Sequence, residues 1–149
     1  MQELDKYINA GEELKRLNEE YNLKREAIFS GCYNQIHVEN NDIYHWSYGT
    51  DQAGLRLVEL SEVYEKKSKR LQRMERDFKA ALKGLAEDEL EAFLHTVYGH
   101  PTRYHVTAVK YLYGLAYGKL VDYLSILKDE HAEQRERERK QTLIKTIAN

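Results

Sequence analysis

From residue 57 onward an apolar side chain returns at every seventh position: Leu57, Tyr64, Leu71, Phe78 and Leu85. Leu60, Met74 and Ala81 take the intermediate positions, and Lys67 interrupts them. That spacing lays one stripe along the face of a helix. With Thr50 or Asp51 available as an N-cap, it predicts a helix from about Gln52 to Lys83, roughly 48 Å long at 1.5 Å per residue. The start of the chain keeps the same register in Tyr7, Leu14, Tyr21 and Ile28, with Ala10 and Leu17 between them and Lys24 breaking the next position. A first helix is therefore predicted from about Gln2 to Phe29. Gly11 weakens it by roughly 1 kcal/mol relative to alanine without ending it. Two helices sharing one register predict a long antiparallel, coiled-coil-like hairpin. The same stripe, through Tyr64, Leu71 and Phe78, would also serve a protein partner or a second copy in a homodimer. Lys24 and Lys67 would restrict register or partner choice.

Between these helices lie turn-prone Ser30-Gly31 and Asn40-Asn41-Asp42, with a weakly alternating Cys32–Val38 that suits a short strand. An aromatic cluster follows, containing Tyr44, Trp46 and Tyr48. Residues 30–50 read as a long connection, whose aromatics either cover a helix end or contact a partner protein.

The pattern shortens after residue 84. Glu87, Asp88 and Glu89 suit a helix first turn, where the dipole favours acids. Leu90, Phe93, Leu94, Val97 and Tyr98 form its apolar face, and Gly99-His100-Pro101 ends it. Thr102 or Thr107 would start a short helix carrying Val106, Val109, Leu112 and Tyr113. Gly114-Leu115-Ala116 reads as a tight turn, with a last helix from near Tyr117 presenting Leu120, Tyr123, Leu124 and Leu127. Two helices joined at a glycine are the sequence form of a helix-turn-helix, and equally of an ordinary helical corner. From Asp129, Glu and Arg alternate through Lys140, and Leu143, Ile144 and Ile147 follow as a terminal anchor or a frayed end. The expected architecture is all-α: a hairpin over 1–84, a helix-turn-helix-like module over 85–128, and a charged helical tail over 129–149.

Charge changes this picture locally. The net charge is −2, but residues 1–51 sum to −5 and residues 102–128 to +3. Lys66–Lys83 holds eight basic and two acidic groups, a solvated helix flank or a phosphate-facing one. Overall acidity argues against a general nucleic-acid coat but leaves room for a local basic reading head. In that reading Arg103, Lys110, Tyr117, Lys119 and Lys128 would contact DNA, around the N-terminal turns of the second helix.

Catalytic chemistry is hard to find. No phosphate-binding glycine loop, nucleophile elbow or zinc-hydrolase motif occurs. His95, His100 and His105 are spaced by five, which shares no helix face, so no metal site is expected. Cys32 is the single cysteine, which excludes an internal disulfide and fits a reducing compartment. Paired acids such as Glu12-Glu13 and Glu19-Glu20 fall on an outer face. The reading is not an enzyme, with no cofactor. No secretory signal pattern or membrane-length apolar run is seen, which predicts a cytoplasmic protein of a host cell with no membrane partner.

The order of segments adds a resemblance. Asp51-Gln52-Ala53-Gly54, the long helix Leu57–Leu82, Leu85-Ala86-Glu87-Asp88-Glu89-Leu90-Glu91-Ala92-Phe93, Tyr98-Gly99, and Val109-Lys110-Tyr111-Leu112-Tyr113-Gly114-Leu115-Ala116 followed by Leu120 resemble the ArpU/RinA-like late transcriptional regulators of Gram-positive phages. The resemblance covers roughly residues 1–128. It implies a C-terminal module like sigma-factor region 4, DNA as a partner, and host RNA polymerase as another. The expected function is a phage-type DNA-binding transcriptional regulator. The alternative is a phage or mobile-element protein that binds and inhibits a host protein without catalysis, as a DNA mimic or anti-defence inhibitor.

Overall fold

A computed structural model describes residues 3–30, 35–39, 42–46 and 50–148, with residues 35–51 described by backbone alone. The class is all-α. In chain order the elements are α1 (Glu3–Ile8), α2 (Ala10–Ser30), β1 (Gln35–Glu39), β2 (Asp42–Trp46), α3 (Thr50–Lys83), α4 (Glu87–Tyr98) and α5 (Val106–Ala148). The expected first helix is divided at Asn9, while Gly11 lies inside α2 and does not end it. The Asn9 carbonyl accepts the Glu13 N–H at 2.9 Å, the position an N-cap residue takes, and asparagine favours that position. The connection contains a two-stranded antiparallel ladder, with Gln35 opposite Trp46 and Glu39 opposite Asp42. The expected short strand is present there, paired with a second one.

The chain forms two compact units, one of residues 6–75 and one of the N-terminal turn of α1 with the chain from Arg76 onward. In the first unit α2 and α3 run antiparallel. A Cβ at Gly11 would lie 3.6 Å from Glu75, and the rings of Tyr21 and Tyr64 meet at 5.3 Å. Lys24, an interruption in the stripe, has a defined partner in this seam. Its Nζ donates to Tyr64 Oη at 2.9 Å and to Glu20 Oε1 at 2.6 Å, while Tyr64 Oη donates to Glu20 at 2.7 Å. These bonds hold the Lys24 ammonium above its ordinary range and the Glu20 carboxyl below it. Lys67, the matching interruption on α3, lies over the Tyr64 ring at 5.7 Å.

In the second unit α4 and α5 form an antiparallel pair closed by the C-terminal end of α3. Phe93, fully buried, stacks on Tyr113 at 5.9 Å and meets Phe78 at 6.1 Å. Leu4, Ala81, Ala92, Val109, Ala116, Leu120 and Leu124 complete this core. Gly99 ends α4 with φ 69°, its N–H bonded to the His95 carbonyl and the next N–H to the Leu94 carbonyl. The first of these is the 5→1 bond of an αL cap, where a left-handed residue satisfies carbonyls the helix leaves open.

The tight turn expected at Gly114-Leu115-Ala116 is not formed. Residues 106–148 are one continuous helix of 43 residues. The two-helix module exists, but its connection is residues 99–105. The inner positions Val109, Tyr113, Ala116, Leu120 and Leu124 hold a 3.6-residue period straight through Gly114, which fits one helix packed on α4 and does not fit a reset of direction. The tail is a continuation of α5, with every residue from 132 to 148 exposed. It is held by i,i+4 pairs such as Arg137–Glu133 and Lys140–Glu136.

Candidate functional site

Residues expected to read DNA are distributed along the α4–α5 pair, and three of the four cations among them face carboxylates. Glu89 is 6% exposed, on the inner side of the first turn of α4, and its Oε1 accepts from Lys119 Nζ at 2.6 Å. Its Oε2 is buried with no partner among the described residues. Lys119 thus compensates a buried charge. Arg103 Nε lies 3.4 Å from Glu91 Oε2, and Glu91 Oε1 also accepts the Arg103 backbone N–H at 2.9 Å and the Thr102 hydroxyl at 3.1 Å. One carboxylate therefore gathers the connection before α5. That backbone bond, aided by Thr102 and the Arg103 guanidinium, holds the Glu91 carboxyl below its ordinary range. Lys128 pairs with Glu3 of α1. Tyr117 is half-buried, its ring 6.1 Å from that of Tyr113. Lys110 stands exposed on α5. With the turn absent, no helix begins near residue 117, and Lys110, Tyr117, Lys119 and Lys128 all belong to the one helix α5.

The residues assigned to protein contact divide similarly. Tyr64 and Phe78 are buried, because α2 covers the first and Phe93 of α4 meets the second. Leu71 is half-buried. The stripe expected to reach a partner is therefore spent largely inside the chain. Tyr44 and Trp46 belong to β2, whose side chains lie outside the described residues, as do Tyr48 and Cys32. His95 and His100 meet through a ring-to-carbonyl contact at 2.6 Å. Among the described residues no three His, Cys, Asp or Glu side chains gather as a metal set would. His131, in a stretch that reads as solvated, instead meets Asp77 of α3 at 3.1 Å.

No family model, curated protein or solved structure matches this chain.

A surface that sequence reading passed over is the outer face of α5. The inner face packs on α4, yet the opposite face is also largely uncharged. Tyr111 is 69% exposed and Ile126 59%, with Leu115 and Val121 exposed beside them. A helix apolar on all sides is normally covered on all sides. Two glycines, Gly114 and Gly118, lie four residues apart on this face. A Cβ at either would meet nothing within 4 Å, so nothing among the described residues requires their smallness. Each costs a helix interior about 0.8–1 kcal/mol relative to alanine. Surface glycines of this kind permit the close approach of another backbone. The signal lies in a second uncharged period at Tyr111, Leu115 and Gly118, which reading Gly114 as a turn residue hides. Among the described residues, no helix is both long and apolar enough to cross a membrane.

Proposed function

We propose that the protein works by binding another protein, without catalysis, through the outer face of α5. The observation that supports this is the exposed apolar face carrying Tyr111 and Leu115 around glycines that no contact among the described residues explains. An inhibitor or adaptor acts in this way, by docking a preformed rigid surface. DNA reading receives less support, since the carboxylates of Glu89, Glu91 and Glu3 occupy Lys119, Arg103 and Lys128.

A photo-crosslinking amino acid placed at Tyr111 in cells tests this reading. A covalent protein adduct is expected from position 111, and its loss when Gly118→Leu is added. Absence of any protein adduct from the folded chain overturns the proposal. So does salt-sensitive, sequence-selective DNA binding that Lys110→Glu abolishes, because phosphate contacts release counterions.

A further inference from the structure

We infer that the occupant of the α5 outer face is a second copy of this chain, lying antiparallel across a two-fold axis level with Ala116 and Tyr117. This rests on the reading of that face as a protein-binding surface and names its partner. Along the face the positions Ala108, Tyr111, Leu115, Gly118, Asp122 and Ser125 follow one another at intervals of 3, 4, 3, 4 and 3 residues. This is a heptad seam, and its spacing is unchanged when read backwards.

The chemistry is matched across the midpoint as well. In an antiparallel pair Leu115 would lie opposite Gly118 of the second copy, a branched side chain over the one residue that leaves room for it. Tyr111 would lie opposite Asp122, a hydroxyl donor against a carboxylate. Ala108 and Ser125, both small, close the two ends. All four central residues are exposed. Neither Tyr111 nor Asp122 has a hydrogen bond or ion pair within the described chain. An acid in the middle of an apolar face is unfavourable to cover unless a donor meets it, and the symmetry supplies that donor twice. A surface complementary to itself under a two-fold is what an isologous dimer requires. From Ala108 to Ser125 the seam would be roughly 26 Å long at 1.5 Å per residue. A parallel pair offers none of this, because it sets Asp122 against Asp122 and Gly118 against Gly118.

Sedimentation of the full chain over a wide concentration range tests the assignment. The chain is expected to form a concentration-dependent dimer. Gly118→Leu should weaken it by about tenfold or more, while its melting temperature, followed by circular dichroism, stays at or above that of the parent. Tyr111→Glu should also weaken the dimer, by placing two carboxylates together at each end. Tyr111→Glu with Asp122→Lys should restore it, an outcome that only the antiparallel register allows. A chain that stays monomeric throughout, a dimer indifferent to Gly118→Leu, or a double variant no better than Tyr111→Glu overturns the inference. A monomer whose position 111 still crosslinks to a different protein overturns self-pairing and leaves the protein-binding reading standing.

Discussion

Lys119 illustrates how position changes the meaning of a residue. As an exposed cation near the start of a helix it suggests a phosphate contact. Against a carboxylate that is 6% exposed, it becomes the group that makes burial of Glu89 tolerable. Removing one partner of such a pair leaves an uncompensated charge, and removing both can be nearly neutral. Lys119 itself is 55% exposed, so the effect is moderated by water. Lys119→Met is expected to lower stability by about 2 kcal/mol, and Glu89→Met with Lys119→Met to recover most of it, read from urea unfolding. Recovery in the double variant is the decisive point, since a lysine used for DNA would show none. Glu91 gives the pH counterpart. Its folded-state pKa is depressed, chiefly by the Arg103 backbone N–H. Its contribution is therefore fully present above the unfolded carboxyl value, about 4.3, and is lost as pH falls through the lower folded value. Melting temperatures of the parent and Glu91→Gln should differ near neutrality and converge in acid below about pH 4. A constant gap across that range would remove Glu91 from the account of the connection.

Elements differ in how openly the sequence declares them. The heptads of α2 and α3 are legible because a seven-residue repeat has one common physical cause, a seam between helices. The pairing of Tyr21 with Tyr64 follows from it. What the repeat does not reveal is how a seam accommodates its lysines. Lys24 becomes part of a Glu20–Tyr64 hydrogen-bonded group, a three-body arrangement across 44 residues of sequence. The dipole accounts for an acid at Glu89 but not for its burial, since its partner Lys119 lies thirty residues away. The α5 glycines mislead in the opposite direction. Glycine is the strongest local mark of a turn, but a turn also shifts the phase of the apolar positions, and across Gly114 the phase of Val109, Tyr113, Ala116 and Leu120 does not shift. Gly99, whose φ is 69°, is a true terminator, and there the apolar face does end. The contrast predicts a sign. Gly114→Ala, in an open helix interior, should stabilise by about 0.5–1 kcal/mol, whereas Gly99→Ala should destabilise by about 1 kcal/mol, because a left-handed residue then carries a Cβ. Thermal or urea unfolding of the two variants checks it. Destabilisation by Gly114→Ala would restore the turn.

At the scale of the whole molecule, α5 combines three environments in one element: a core strut, an outer apolar face and a solvated arm. Up to Leu124 the helix contributes buried side chains to the second unit, and His131 still contacts Asp77. Beyond it every residue through 148 is exposed, and the stabilising contacts are local i,i+4 pairs worth about 0.2–0.5 kcal/mol each. Helices without tertiary packing are marginal at this length, so the arm depends on the packed part of α5 as its nucleus, while the packed part gains little from the arm. Ending the chain after Ala132 should therefore remove helical circular dichroism without displacing the melting temperature by more than about 2 °C, the shift a few tenths of a kcal/mol produces. Ending it after Tyr117 should abolish cooperative unfolding, because Leu120 and Leu124 leave the core and Glu89 loses Lys119. The seam from Ala108 to Ser125 survives the first truncation, so the dimer should survive with it. A dimer lost with the arm would place self-association on Leu143, Ile144 and Ile147, exposed apolar residues near the end of the same helix, and would remove the two-fold from the level of Ala116.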